Sequence, residues 1–139
     1  MEQRDTVNLS SSDRRYLTAI YQLSFGSKSH AVRPVDVAAL AGVSRPSVTH
    51  ALKRLQQQKI IFRIPQKGVT LTQEGYEIAE SIQFRYHTVE SFLETTLDVD
   101  QATAEQDAWN IERVVSAATI CKMDQFNQKN AGSNYALNR

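Results

Sequence analysis

One cysteine, Cys121, and three histidines are the whole thiol and imidazole content of the 139 residues. The count excludes an intrachain disulfide framework, and a zinc ribbon or finger with it. Cys121 is expected as a buried free thiol that behaves as a small hydrophobe. Long apolar runs are missing too. Nothing approaches the ~18 residues of a membrane-spanning helix, and the opening MEQRDTVNLSSSDRR has no hydrophobic signal core. A soluble, cytoplasmic protein with no membrane partner is therefore expected. Glycine-rich phosphate loops, nucleophile elbows and paired-histidine metal motifs are absent, and Asp36 and His50 fall on separate elements rather than forming an acid/base pair. An enzyme is not expected.

What is present begins with the distribution of charge. The net charge of +1 conceals eleven Lys and Arg against four Asp and Glu in residues 1–73, and five against eleven in residues 74–139. A basic half is joined to an acidic half. Such asymmetry points to polyanion binding by the basic part, the alternative being an ordinary solvated imbalance.

The hydrophobic periodicity then divides the chain. Tyr16, Leu17, Ile20 and Tyr21 form an i, i+1, i+4, i+5 stripe behind three serines that supply an N-cap, so residues 13–23 are predicted as an amphipathic helix. Residues 25–34 carry Gly26, Ser27, Ser29 and Pro34 and read as a connection, with a short extended piece at 31–33. A short apolar helix at 35–41 runs into Gly42, after which Ser44 stands as N-cap and Pro46 in the first turn of a second helix. Val48, Leu52 and Leu55 at i, i+4 and i+7 turn inward, which leaves Pro46, His50, Lys53 and Arg54 on the opposite side, flanked by Ser47 and Thr49. Short polar groups at a helix start with cations one to two turns on suit a helix entering a DNA groove.

Residues 60–64 and 69–72 flank the turn Pro65-Gln66-Lys67-Gly68 and predict a β-hairpin, the wing of a winged helix, with Arg63 and Lys67 set for phosphates or the minor groove. Helical periodicity then returns. Ile78, Ile82, Val89, Phe92 and Leu93 mark one long helix, ended or interrupted at 98–100. A second helix is expected from 101 or 103 to 124, with Ala108, Ile111, Val115 and Ala118 on one face. Two such helices do not bury their stripes alone, and a second copy in a two-fold dimer is the economical partner. The expected organisation is a mainly α chain: a winged helix-turn-helix DNA-binding domain at 1–73, a two-helix dimerisation domain at 74–124, and a loosely ordered polar tail at 125–139.

Three blocks, YLTAIYQL at 16–23, DVAALAGVSRPSVTHALKRL at 36–55 and GVTLTQEGYEIA at 68–79, resemble the diphtheria-toxin-repressor and MntR group of metal-responsive transcriptional regulators. VESFL at 89–93 and IERVVS at 111–116 match more weakly, so the resemblance spans roughly residues 9–116. It implies a homodimeric repressor whose winged helix binds a palindromic double-stranded DNA operator when Mn or Fe occupies sites between the DNA-binding and dimerisation helices. By position, Ser44, Pro46, Ser47, Thr49 and His50 approach bases, and Arg45, Lys53 and Arg54 are phosphate or flanking contacts.

The implied metal ligands do not carry over. The two first-helix ligand positions fall on Arg15 and Thr18, the long-helix histidine falls on Tyr86 with His87 one residue late, and the last cluster reads Trp109, Glu112 and Arg113. Only Glu112 keeps ligand chemistry, since guanidinium and indole cannot bind a hard divalent cation. Arg15 and Arg113 are accordingly expected to supply fixed positive charge in place of the ion, with Glu112 as counter-ion. A displaced site would use His87 and Glu90 at i, i+3, the latter matching an ancillary ligand position, with Glu105 or Asp107 from the next helix; a solvated pair is the reading preferred. Two other functions stay open. One is a MarR-like dimer sensing a small ligand among Phe84, Tyr86 and Trp109, and the other a winged helix that contacts a partner protein.

Overall fold

In a computed structural model of the chain, residues 9–25 and 30–137 are described, with side chains as far as residue 131. Residues 26–29, in the middle of the expected connection, lie outside the described residues. The chain divides within one helix into two compact units, residues 1–82 and 83–139.

The first unit opens with α1 (Ser11–Leu23), whose N-cap Ser10 accepts the Asp13 amide at 3.0 Å. Helix α2 (Pro34–Ala41) starts on a proline, whose missing N–H is harmless there, and stops at Gly42, which takes φ 67° and returns its amide to the Ala38 carbonyl. Helix α3 (Arg45–Gln57) follows after the three residues Gly42, Val43 and Ser44, capped by Ser44. Strands β1 (Ile61–Ile64) and β2 (Gly68–Leu71) pair antiparallel with Ile61 opposite Leu71 and Ile64 opposite Gly68. Pro65 presets its own φ, Gln66 takes the left-handed φ of 66°, and the Lys67 amide closes the turn on the Ile64 carbonyl. The expected extended piece is a bridge from Val32 to Val69, and it passes so close that a side chain at Gly68, φ 126°, would put its Cβ 2.2 Å from the Val32 oxygen. Leu17, Ile20, Val37, Val48, Leu52, Leu55, Ile61, Val69 and Leu71 are buried. Each such Val or Leu contributes about 1.5–3 kcal/mol by leaving water.

An ion pair joins α1 to α3. Asp13 on α1 is buried and accepts Nε and Nη2 of Arg54 on α3 at 3.2 and 2.8 Å, while Arg54 remains half exposed. A two-pronged bond of this kind fixes the angle between the helices as well as the charge.

Helix α4 (Gln73–Ser91) leads into the second unit and ends in a π-helical turn, Phe92–Thr96. Helix α5 (Gln101–Val114) is capped by Asp100, and α6 (Ala117–Leu137) follows a two-residue break. Val89, Leu93, Ala104, Ala108 and Ile120 form the core of this unit, with Tyr86, Val99, Ile111, Val115 and Met123 packed around them. None of the described helices is long and apolar enough to cross a membrane.

Three expectations are corrected here. The single helix expected to reach residue 124 is two, because Val115 turns extended (φ −78°, ψ 145°) and the Ser116 hydroxyl accepts the Thr119 amide as a fresh N-cap. Ala118 consequently sits exposed on the new helix instead of continuing the α5 stripe. The tail expected to be loose from 125 is the continuation of α6, because its amides find partners: Asn127 donates to the Thr88 carbonyl at 3.0 Å and Asn130 to the Thr96 hydroxyl at 3.4 Å. Cys121 is exposed rather than buried, one residue round the helix from the inward Ile120.

Two tests follow from these caps and pairs. Arg54→Ala strands the buried Asp13 carboxylate and should cost about 3 kcal/mol in urea unfolding, whereas Asp13→Ala leaves a guanidinium that rehydrates and should cost less. Asp100 receives the Thr103 hydroxyl at 2.8 Å and the Thr103 amide at 3.1 Å, and these bonds lower its carboxyl below the ordinary carboxylate value. Its ionised form therefore favours folding fully above about pH 4, and the contribution is lost as pH falls through the lowered value. The melting-temperature gap between the parent and Asp100→Ala should be widest at neutral pH and should shrink at about pH 2.

Candidate nucleic-acid interface

The buried stripe of α3 dictates what the helix displays. With Val48, Leu52 and Leu55 buried, residues 100–200° away must face solvent, and Ser44, Arg45, Pro46, Ser47, Thr49, His50, Lys53 and Arg54 are all exposed. The Ser44 and Ser47 hydroxyls hold each other at 2.9 Å, and Thr49 donates to the Arg45 carbonyl at 3.0 Å. These short groups are thus oriented by their own helix while the imidazole of His50 and the ammonium of Lys53 extend beyond them.

Beside the start of α3 lies a cleft of about 320 Å³ lined by Arg33, Arg45, Arg63 and Lys67, with Pro34, Val35 and wing residues of β1 and β2. Four cations thus converge from the start of α2, the start of α3, and β1 and the turn of the wing. Nearby cations of like sign suit a polyanion, whose oxygens separate and screen them. Arg33, held by Asp36 at 3.0 and 3.4 Å, is the member that the sequence did not single out. Its signal was available, a cation directly before the proline that starts α2.

Arg54 occupies a different position from its neighbours on α3. Two of its nitrogens already serve Asp13, so it fixes the pose of α3 and keeps only its remaining edge for a phosphate.

In the second unit the positions expected to matter for a metal are occupied in other ways. Tyr86 stacks on Trp109 with ring centroids 4.1 Å apart and planes 27° apart, and its hydroxyl donates to Glu90 at 2.8 Å. The same Glu90 lies 3.9 Å from His87, whose other ring nitrogen is 2.7 Å from the Gln83 amide. Glu105 accepts from Gln101 at 3.2 Å. The displaced site is therefore not assembled: among the described residues no group of three or more His, Cys, Asp or Glu is placed to hold a metal ion. Of the three aromatics weighed for a small-ligand site, Tyr86 and Trp109 stack on each other and Phe84 is half exposed.

Glu112 is fully buried, and the guanidinium beside it belongs to Arg85, Nε to Oε1 3.6 Å. Arg113, expected in that role, is exposed because it follows Glu112 by 100° around α5; Arg15 is exposed on α1, and Thr18 is buried with its hydroxyl on the Arg15 carbonyl. Arg85 is the residue that the sequence reading missed, and its signal was that it is the one Lys or Arg between residues 74 and 112.

Residues 72–133 match the family model described as the iron dependent repressor, metal binding and dimerisation domain. The transcriptional regulator MntR of Escherichia coli O6:H1 is 42% identical over 97 residues, covering 70% of this chain and 62% of that protein. MntR of Salmonella typhimurium is 41% identical over 101 residues, 73% of this chain and 64% of that one. The chain thus spans somewhat under two thirds of the length of these relatives. Among solved structures, the manganese regulator SloR superposes with a TM-score of 0.72 at 26% identity, over 82% of this chain and 52% of that one. The ordered blocks of the first unit, the helical second unit and these likenesses agree, and the chain belongs to the DtxR/MntR family of winged-helix regulators.

Proposed function

We propose that the chain is a sequence-specific DNA-binding transcriptional regulator, a repressor that acts as a homodimer on a palindromic operator in the cytoplasm. The observation that carries this reading is the exposed face of α3 beside the four-cation cleft. Ser44, Pro46, Ser47, Thr49 and His50 stand where side chains at a helix start reach base edges in the major groove, and Arg45, Lys53, Arg63 and Lys67 take phosphates on either side. The relatives are named transcriptional regulators, and the matched model's description includes dimerisation.

A dimer supplies two copies of α3, and a two-fold axis between them requires a two-fold operator with half-sites about one helical turn apart. Half-exposed or exposed apolar side chains of the second unit, Phe84, Leu97, Val114 and Phe126, support a further surface being covered in the assembly. The regulator performs no chemical step on its operator. Manganese or iron has no step in it either, because the residues at the expected positions do not form a donor set.

Selection of DNA by the full chain from a random pool, followed by fluorescence anisotropy, tests the proposal. A site with two-fold symmetry should emerge, bound with a steep salt dependence. Arg63→Ala and Lys67→Ala should each weaken binding to all sequences alike and flatten the log–log salt slope by about 1. His50→Ala should relax the preference at one base position by about 1–3 kcal/mol. Weak binding without a selected sequence and with little salt dependence would instead favour a winged helix that docks on protein.

A further inference from the structure

We infer that the second unit carries its own permanent cation, Arg85, at the corner where α4 meets the end of α5, and that this unit keeps its fold and its dimer without a divalent ion. The inference deepens the proposed repressor function by stating how it is regulated, and rests on that reading only for its DNA arm.

The corner is built around the break between α5 and α6. In a continuous helix the Glu112 carbonyl would accept the Ser116 amide and the Val115 carbonyl the Thr119 amide. The turn at Val115 removes the first partner, and the Ser116 hydroxyl takes the second. Arg85 supplies what is missing. Its Nε donates to the Glu112 carbonyl at 3.0 Å, and its Nη2 donates to the carbonyls of both Glu112 and Val115. The same Nε stands 3.6 Å from the Glu112 carboxylate, which is 1% exposed. A planar guanidinium thus satisfies two carbonyls at the negative end of α5 and one buried carboxylate at once.

A buried carboxylate requires a cation, and here the cation is covalently part of the chain. Arginine does not lose its proton in proteins and cannot dissociate, so the corner cannot respond to metal concentration. Directly beside it, Tyr86 stacks on Trp109 and donates its hydroxyl to Glu90, so one oxygen of that carboxylate is already engaged by a neutral partner. The model matched by residues 72–133 is described as metal binding, yet the described residues offer no group of three ligands. That disagreement has a physical content: charge that an exchangeable ion would bring is fixed in the sequence at Arg85.

The test uses the full chain without DNA. Equilibrium dialysis against Mn(II) or Fe(II) followed by elemental analysis should find substoichiometric metal, and the melting temperature and the dimer seen by sedimentation should be the same in EDTA and in Mn(II). Arg85→Ala should lower the melting temperature by about 5 °C or more, with no recovery in Mn(II). Arg85→Lys should recover part of the loss, since it restores charge but not the fork, and Glu112→Gln placed on Arg85→Ala should also recover part of it by removing the charge that needs a partner. One metal ion per chain with a raised melting temperature would overturn the inference, as would an Arg85→Ala protein that melts like the parent. Should Arg85→Ala fail to fold, the dialysis of the parent and the Arg85→Lys comparison decide. The DNA arm compares anisotropy on the selected site with and without EDTA. Binding that requires added metal overturns the inference, equal binding in both supports it, and no binding in either counts against the repressor reading while the dialysis and melting results still decide on Arg85.

Discussion

The burial of Val48, Leu52 and Leu55 is the constraint on which the cationic face of the first unit depends. Those three residues fix the rotation of α3 about its axis, and once that is set, every other residue of the helix has no freedom in where it points. Asp13 fixes the remaining variable, the tilt of α3 against α1, through the two-pronged bond to Arg54. The wing is fixed by a third device, the close passage of Val32 over Gly68, which ties β2 to the segment preceding α2 through a single bridge. The cationic cleft lies where these elements meet. Its four side chains come from separate segments, so their convergence is a product of packing and not of any local sequence motif.

The second unit is organised by a discontinuity instead. An uninterrupted helix from 101 to 124 would carry Ala118 on the same face as Ala108 and Ile111 and would leave Arg85 without its two carbonyl acceptors. The break at 115–116 trades a few intrahelical bonds for side-chain ones, the Ser116 cap on one side and the Arg85 fork on the other. It also redirects α6 so that Ile120 and Met123 join the core of Val89, Leu93, Ala104 and Ala108. Small residues at 104 and 108 let the helices approach, and the polar amides of Asn127 and Asn130 extend the contact toward α4 and the π-helical turn.

What could be read from the sequence follows the range of the forces involved. Gly42, Ser44, Pro46 and Pro65 act on their own backbone within three or four residues, and the helix-turn-helix and the hairpin that they punctuate are present as expected. The inward stripe of α3 is equally local, because helical pitch alone decides it. The break at Val115 was hidden because a serine after two valines is compatible with a helix interior or an N-cap, and the choice is made by Arg85, thirty residues away. The α6 extension was hidden for the same reason: Asn and Gln read as tail residues until their partners on α4 and the π-helical turn are known. Arg54 and Arg113 show the limit of reading charge by position. One is a cation on the expected face already engaged by a buried Asp13, and the other sits next to the buried Glu112 but faces solvent.

The division of charge acquires a meaning from these placements. Four of the basic residues in the first 73 converge on one cleft, and the face of α3 beside it carries no acidic side chain, since Asp13 is buried and Asp36 is bound to Arg33. In the second unit Asp107 and Asp100 are solvent-exposed, and Glu112, its one fully buried acid among the described residues, is matched from within by Arg85. Taken singly, the first unit attracts a polyanion and the second repels one. The small net charge of +1 is then the sum of two opposed charge distributions in one chain, not a sign of neutrality along it. Because the internal cation is an arginine, that opposition holds irrespective of whether divalent ions are present.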